Sequence, residues 1–266
     1  MTDFVRLHRD GDVAVLTLCN GERMNPLSVE MQVALLAELR VIASESGVRA
    51  LLIRAEGRGF CAGADLSSMQ KSPEGIRTLG ETVHGWMGEL TNQIVLAMRD
   101  LPCPVVTAVQ GACAGAGVGL ALSADITVAA RSAFFYLPFI PRLGIVPDMG
   151  TTWFYERLLG RARATALALL GERLHAEQAA AWGLIWNVVD DERLQESSLE
   201  IARRLANLPQ HGVQEARAAF NHAAKNSLAQ QLEYERSRQR ELIDRPTFDE
   251  GVQAFLEKRD PNFRRT

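Results

Sequence analysis

The four cysteines of this chain, Cys19, Cys61, Cys103 and Cys113, include no C-x-x-C pair, so the sequence offers neither the ligand spacing of a structural zinc site nor a dithiol redox couple. They are expected to serve as small apolar residues. A basic excess is also missing. The formal net charge is −3, which gives no field attractive to nucleic acid, and Arg161-Ala162-Arg163 alternates with alanine as solvated helix faces do. No window approaches the roughly 18 consecutive apolar residues of a membrane span. The start Met1-Thr2-Asp3-Phe4 carries no cationic segment leading into an apolar one. The expectation is a cytoplasmic protein that engages neither nucleic acid nor membrane. What is present is 266 residues with 47% hydrophobic side chains, enough for one domain with a substantial core, or one domain with an appendage.

Small residues cluster in two places, each behind an apolar strand candidate. Gly111-Ala112-Cys113-Ala114-Gly115-Ala116-Gly117-Val118-Gly119 follows Val105 to Val109, and Gly59-Phe60-Cys61-Ala62-Gly63-Ala64-Asp65 follows Ala50 to Arg54. Glycine at this density is poor material for a regular element and lets something approach the backbone. Phosphate cradling is the weaker reading. No Lys-Ser/Thr follows the glycines, and Leu120, three residues after Gly117, breaks G-x-G-x-x-G. Two segments that bring backbone N–H groups to one point instead suit an oxyanion hole.

Along the chain, Asp10-Gly11-Asp12 between apolar runs predicts a hairpin of Phe4 to Arg9 and Val13 to Leu18. Ser28 is placed to cap a helix running to about Glu45, with Leu35, Leu39 and Ile42 on its buried face. A longer helix is expected over 74–99, then strands at Val105 to Val109 and Ala124 to Val128, and a proline-bearing loop before a helix near Thr151. The order ββα repeats. Helices at Ala162 to Leu170 and Ala176 to Trp182 precede a short strand, Ile185 to Val189. This divides the chain into an α/β core over 1–192 and a strand-free helical region over 193–266, broken at Pro209, Asn226-Ser227 and Pro246. The apolar faces of those last helices fit either their own core or another subunit.

The segments Arg58-Gly59-Phe60-Cys61-Ala62-Gly63-Ala64-Asp65-Leu66, Gly111 to Asp125, Gly144-Ile145-Val146-Pro147-Asp148-Met149-Gly150-Thr151-Thr152-Trp153, and Gly251 to Arg259 together resemble the enoyl-CoA hydratase/isomerase (crotonase) superfamily. Four motifs in register cover nearly the whole chain. The resemblance implies a spiral of ββα units with a helical C-terminal region used in forming trimers or dimers of trimers. It also implies an acyl-CoA thioester whose carbonyl sits between two backbone N–H groups, with no cofactor beyond the CoA of the substrate. Carried over by position, those donors fall on Ala64 and Ala116. Arg23, Arg58 and Ala62 match positions near the CoA, and Lys258 and Phe255 match C-terminal positions reaching the CoA of a neighbouring subunit. As residues in their own right, the three cations are equally readable as solvated surface charges and Phe255 as core.

The pair of glutamates that places water in hydratases of this superfamily corresponds to Gly119 and Ile140. Neither residue titrates, which argues against efficient water addition, because hydration needs both a hydroxyl and a proton delivered. Asp148 instead matches the acidic position of the enoyl-CoA isomerase branch, with surroundings that resemble the ring-1,2-epoxyphenylacetyl-CoA isomerases. A single carboxylate suffices to move a proton from the α- to the γ-carbon of a 3-enoyl thioester. As a bare residue ahead of Gly-Thr-Thr, Asp148 also reads as a helix N-cap. The aryl-CoA dehalogenases of the superfamily need a histidine where Asn92 stands; His84 is out of place for that role. Asp65 and Asp125 read as ordering a turn and a strand start, the remaining histidines lack a nucleophile elbow, and Trp153 and Trp182 read as core. The expected function is therefore an acyl-CoA isomerase. The alternatives are an enoyl-CoA hydratase and a catalytically degenerate acyl-CoA-binding subunit.

Overall fold

The computed structural model describes residues 4–67, 69 and 78–264. The hairpin forms as its Asp-Gly step requires: β1 (Val5–Asp10) pairs antiparallel with β2 (Val13–Leu18). Ser28 accepts a hydrogen bond from the Met31 N–H and starts α1 (Val29–Ser44), whose Leu35, Leu39 and Ile42 are fully buried. The chain returns as β3 (Ala50–Ala55), parallel to β2. The long helix is observed from residue 79 onward, as α2 (Leu79–Trp86), a wider π turn over Met87–Thr91, and α3 (Asn92–Asp100). Its expected start at 74–77 lies outside the described residues.

The glycine segment departs from expectation. After β4 (Val105–Val109) it forms a short strand, β5 (Ala112–Ala114), and a helix, α4 (Ala116–Leu122), that contains Gly117 and Gly119. Close packing outweighs propensity here: a Cβ on Gly117 would lie 2.6 Å from the Cys61 carbonyl oxygen, so only glycine lets α4 lie against the 59–65 segment. Next come β6 (Ile126–Ala130), two residues later than the sequence indicated, and β7 (Phe134–Tyr136). Then follow α5 (Thr151–Leu159), α6 (Arg161–Leu170), β8 (Leu174–His175), α7 (Ala176–Ala181) and β9 (Asn187–Val189).

Two sheets result. The larger has the order β1-β2-β3-β4-β6-β9 and is parallel except at the opening hairpin; the smaller is β5-β7-β8. Successive turns of the chain add to both, so β4 and β6 are neighbours in one sheet while β5 and β7 are neighbours in the other. Isolated bridges extend the small sheet backwards through Cys61 to Cys113 and Leu27 to Ala64. The chain is thus an α/β spiral with the small-residue loops stacked at one level.

Residues from 194 onward are helical among those described: α8 (Leu194–Ala206), α9 (Gln210–Ala223), α10 (Leu228–Ile243) and α11 (Pro246–Glu257). α8 seals one face of the large sheet, burying Leu194, Ala202 and Ala206 against Val13, Val15, Leu52 and Val106. The later helices leave large apolar side chains outside, including Phe220, Leu228 and Phe255. Trp153 departs from its expected core position and is 45% exposed, with the Arg157 guanidinium over its ring, whereas Trp182 packs against the core. No helix of the described residues is long and apolar enough to cross a membrane.

Candidate active site

The 59–65 segment and the start of α4 meet backbone to backbone. Gly63 has φ +94°, and a Cβ there would lie 2.9 Å from the Ala114 carbonyl oxygen and 3.3 Å from the Ala116 nitrogen. Glycine is required both for the conformation and for the approach. The Gly63 carbonyl accepts the Leu27 N–H at 2.8 Å, which anchors this turn to the preceding layer of the spiral. Ala116 opens α4, where N–H groups have no intrahelical acceptor. Among the described residues, neither the Ala64 nor the Ala116 N–H finds an acceptor in the protein. Two backbone N–H groups are therefore held on adjacent layers without a protein acceptor.

Beneath them lie Cys61 and Cys113, bridged across the layers and fully buried. Burial pushes the Cys61 thiol up to about 12 and the Cys113 thiol well above its ordinary value. Both are neutral filling rather than nucleophiles. The buried ring of Phe139 closes the same level, with its Cζ 3.8 Å from where a Gly115 Cβ would stand. Ile140, the matched hydratase position, is instead partly exposed and borders a cavity of about 500 Å³ with Val146, Pro147 and Trp153.

Asp148 sits on a tight turn after β7, immediately before α5. Its carbonyl accepts the Thr151 N–H at 2.9 Å, and both central residues are left-handed, Met149 at φ 48° and Gly150 at φ 72°. This settles the N-cap question: the cap of α5 is Gly150, with no side-chain cap hydrogen bond, so the Asp148 carboxylate is not spent on the helix. Its Oδ1 is buried without a hydrogen-bond partner. Desolvation pushes the carboxyl up to about 6 from an ordinary 3.8, with a smaller opposing effect from its own backbone N–H. A half-buried carboxyl near 6 is suited to exchanging protons near neutral pH. The pattern Pro147-Asp148-Met149-Gly150 is turn chemistry, and that signal locates the loop in sequence where the N-cap reading does not.

Gly119 lies three residues, roughly 4.5 Å of rise, along α4 from Ala116. A Cβ at Gly119 would stand 2.4 Å from both the Cβ and the carbonyl oxygen of Met149. This position cannot hold a glutamate without displacing the Asp148 turn. The same contact holds the Asp148 turn against α4, the helix that Ala116 opens.

The remaining matched positions lie around this centre. Arg23 donates to Asp65 Oδ1 at 3.3 Å and Ser67 Oγ at 3.1 Å, which orients its exposed guanidinium beside the first donor loop. Hydrogen bonding from Ser67, above all from its side chain, holds the Asp65 carboxyl below its ordinary range, in keeping with the expected turn-ordering role. Ala62 donates its N–H to the Met24 carbonyl at 2.8 Å. Arg58 is exposed one residue before the loop. Phe255, 82% exposed, and Lys258, the left-handed cap of α11, stand on the C-terminal helix; the core alternative for Phe255 is excluded. Asp125, expected to order the start of its own strand, lies just before β6 and accepts the Val105 N–H at the start of neighbouring β4 at 2.8 Å.

Comparison with known proteins converges on the same assignment. The chain is 44% identical over 264 residues to the 1,2-epoxyphenylacetyl-CoA isomerase of Escherichia coli strain K12, covering 99% of each. It is 40% identical to a probable enoyl-CoA hydratase of Rhodobacter capsulatus, covering 97% of each. Its fold superimposes on the crystal structure of an enoyl-CoA hydratase from Bacillus anthracis with TM-score 0.89, 30% identity and 98% of both chains. The enoyl-CoA hydratase/isomerase family model matches residues 8–266. With the paired donor loops, the stacked spiral and the full-length match in agreement, the chain belongs to the enoyl-CoA hydratase/isomerase family, enzymes of the crotonase fold that act on acyl-CoA thioesters.

Proposed function

We propose that this enzyme is an acyl-CoA isomerase that shifts a double bond, or rearranges an activated ring, with Asp148 as its single acid/base. The observation that carries this reading is the Asp148 carboxyl, raised to about 6 with an unpartnered buried oxygen, beside a helix position that admits no second carboxylate. In the double-bond case, the thioester oxygen accepts from the Ala64 and Ala116 N–H groups. Asp148 takes a proton from the α-carbon, the dienolate charge rests on those donors, and the proton returns from Asp148 to the γ-carbon. Each oxyanion donor typically contributes about 10²–10³ in turnover. The resemblance to an enzyme named as an epoxyphenylacetyl-CoA isomerase supports the ring variant equally.

Arg23, Arg58, Ala62, Phe255 and Lys258 serve the CoA moiety in this reading, the last two from a neighbouring subunit. Self-association into trimers or dimers of trimers is supported by Trp186 and Phe220, 71% and 79% exposed, which border a groove of about 1180 Å³ between α7 and α9. The chemistry calls for no metal or redox cofactor, since backbone donors and one carboxylate supply electrophile and base.

The test is a panel of linear 3-enoyl-CoAs and an epoxidised phenylacetyl-CoA, followed by absorbance and by product mass. Conversion without change of mass is expected. A gain of water as the main product would assign the enzyme to hydration, and binding without turnover of any member would leave an acyl-CoA-binding protein.

A further inference from the structure

We propose that Gly119 and Met149 act together as positioning residues: Gly119, by lacking a side chain, receives the backbone of Met149 against α4, and this contact fixes the left-handed turn that presents Asp148. The inference rests on the proposed role of Asp148 but concerns how the carboxylate is aimed. Met149 is fully buried and non-glycine, yet it adopts φ 48°. Left-handed residues with a long side chain persist only where the surroundings over-determine them. Two contacts do so here. On one side, the Met149 Cβ and carbonyl oxygen occupy the space that any Gly119 Cβ would need, at 2.4 Å from its ideal position. On the other, Gly150 lies over the Phe154 ring, with Cε2 3.1 Å from where a Gly150 Cβ would stand, and the Gly150 carbonyl accepts the Phe154 N–H at 2.9 Å. The turn is clamped between α4 and α5.

The clamp has a chemical effect. The turn it fixes is the one on which Asp148 Oδ1 lies buried with no hydrogen-bond partner, an environment that raises the basicity of the carboxylate. Its position relative to α4, and hence to the Ala116 donor, is also set. A displacement of about 1 Å at a reacting group costs up to about 10² in rate.

The direct test is Gly119→Ala in the full-length protein, read by thermal melting, by kcat and KM for a 3-enoyl-CoA, and by carbon NMR titration of the Asp148 carboxyl. The expected variant is folded, with KM changed by no more than about threefold and kcat lowered about 10–100-fold. The carboxyl titration should move down from about 6 toward the ordinary aspartate range as the turn lifts and water reaches it. Should Gly119→Ala not fold, Met149→Val and Met149→Gly answer the same question. Valine resists the left-handed region whereas glycine enters it freely, so kcat of Met149→Gly should exceed that of Met149→Val by about tenfold even though both lose the buried side chain. A folded Gly119→Ala with unchanged kcat and titration overturns the proposal, as do Met149→Val and Met149→Gly variants that lose activity equally. Because the NMR titration needs no turnover, a wild-type protein that fails to isomerise, yet whose Asp148 titration moves in Gly119→Ala, rejects the isomerase reading and supports the positioning.

Discussion

The Arg217 guanidinium on α9 meets the Asp125 carboxylate with Nε 3.0 Å from Oδ1, and its other nitrogens donate to the Arg99 carbonyl at 2.7 Å and to the carbonyls of Met98, Leu101 and Cys103. One side chain thus caps α3, satisfies the acid that starts β4 and ties the C-terminal helices to the spiral. Arg217→Met leaves Asp125 without its main cation and the α3 carbonyls without donors. A loss of about 2 kcal/mol is expected, as for hydrogen bonds lost from a charged, partly buried group, measured by urea denaturation. Arg217→Lys should recover little of it, since an ammonium cannot span those acceptors.

Asp148→Asn keeps the shape of the side chain but removes the proposed base. Turnover of a responsive acyl-CoA should fall about 10²–10⁴-fold, with affinity for the CoA ester within a few-fold. Steady-state kinetics with direct ligand titration separates the two effects, and comparable losses in both would mean that Asp148 serves binding.

The same carboxyl sets a pH dependence. In the free enzyme the proposed base is competent only when ionised, so kcat/KM should rise with pH through about 6 and level off above 7. A profile rising near 4 would place the base in an ordinary, hydrated environment.

Stability should run the other way. The folded-state pKa of Asp148 lies above its unfolded value, so between about 4 and 6 the folded state holds the proton more tightly and its stability falls as pH rises. Above that window the buried charge costs up to about 3 kcal/mol, and below it nothing. Asp148→Asn is therefore expected to melt higher than wild type at pH 8, with the advantage fading toward pH 4 in differential scanning calorimetry. A lower melting point at pH 8 would contradict this.

Much of this was legible in the residues, for local reasons. Asp-Gly between apolar runs produces its hairpin, and Ser28 caps the helix it precedes, because each signal acts within a few residues. β5, β7 and β8 span only two or three residues, and no alternation distinguishes them; they are strands because turns of the spiral stack. Gly117 and Gly119 mislead for the same reason, being chosen for what approaches them rather than for the helix they occupy. At the site, it is the resemblance of motif positions that points to Ala64, Ala116 and Asp148 as candidates. The Met149 conformation is unreadable without knowing that Gly119 faces it.

Self-association is the remaining expectation. Sedimentation at micromolar protein should show trimers or hexamers, and replacing exposed Trp186 or Phe220 by aspartate should shift the mass downward, since charge is poorly tolerated in the core of an interface. A monomer with full activity would remove the role given to Lys258.

The stacking of Leu27 on Ala64 and of Cys61 on Cys113 is made by main chain. What holds the proposed electrophilic centre is therefore indifferent to the identity of most side chains around it. The acidic group arrives on a separate loop, from a later coil of the spiral. In the proposed reading, exchanging one turn, the one bearing Asp148, would change what happens to the substrate while the donor-bearing half of the site stays as it is.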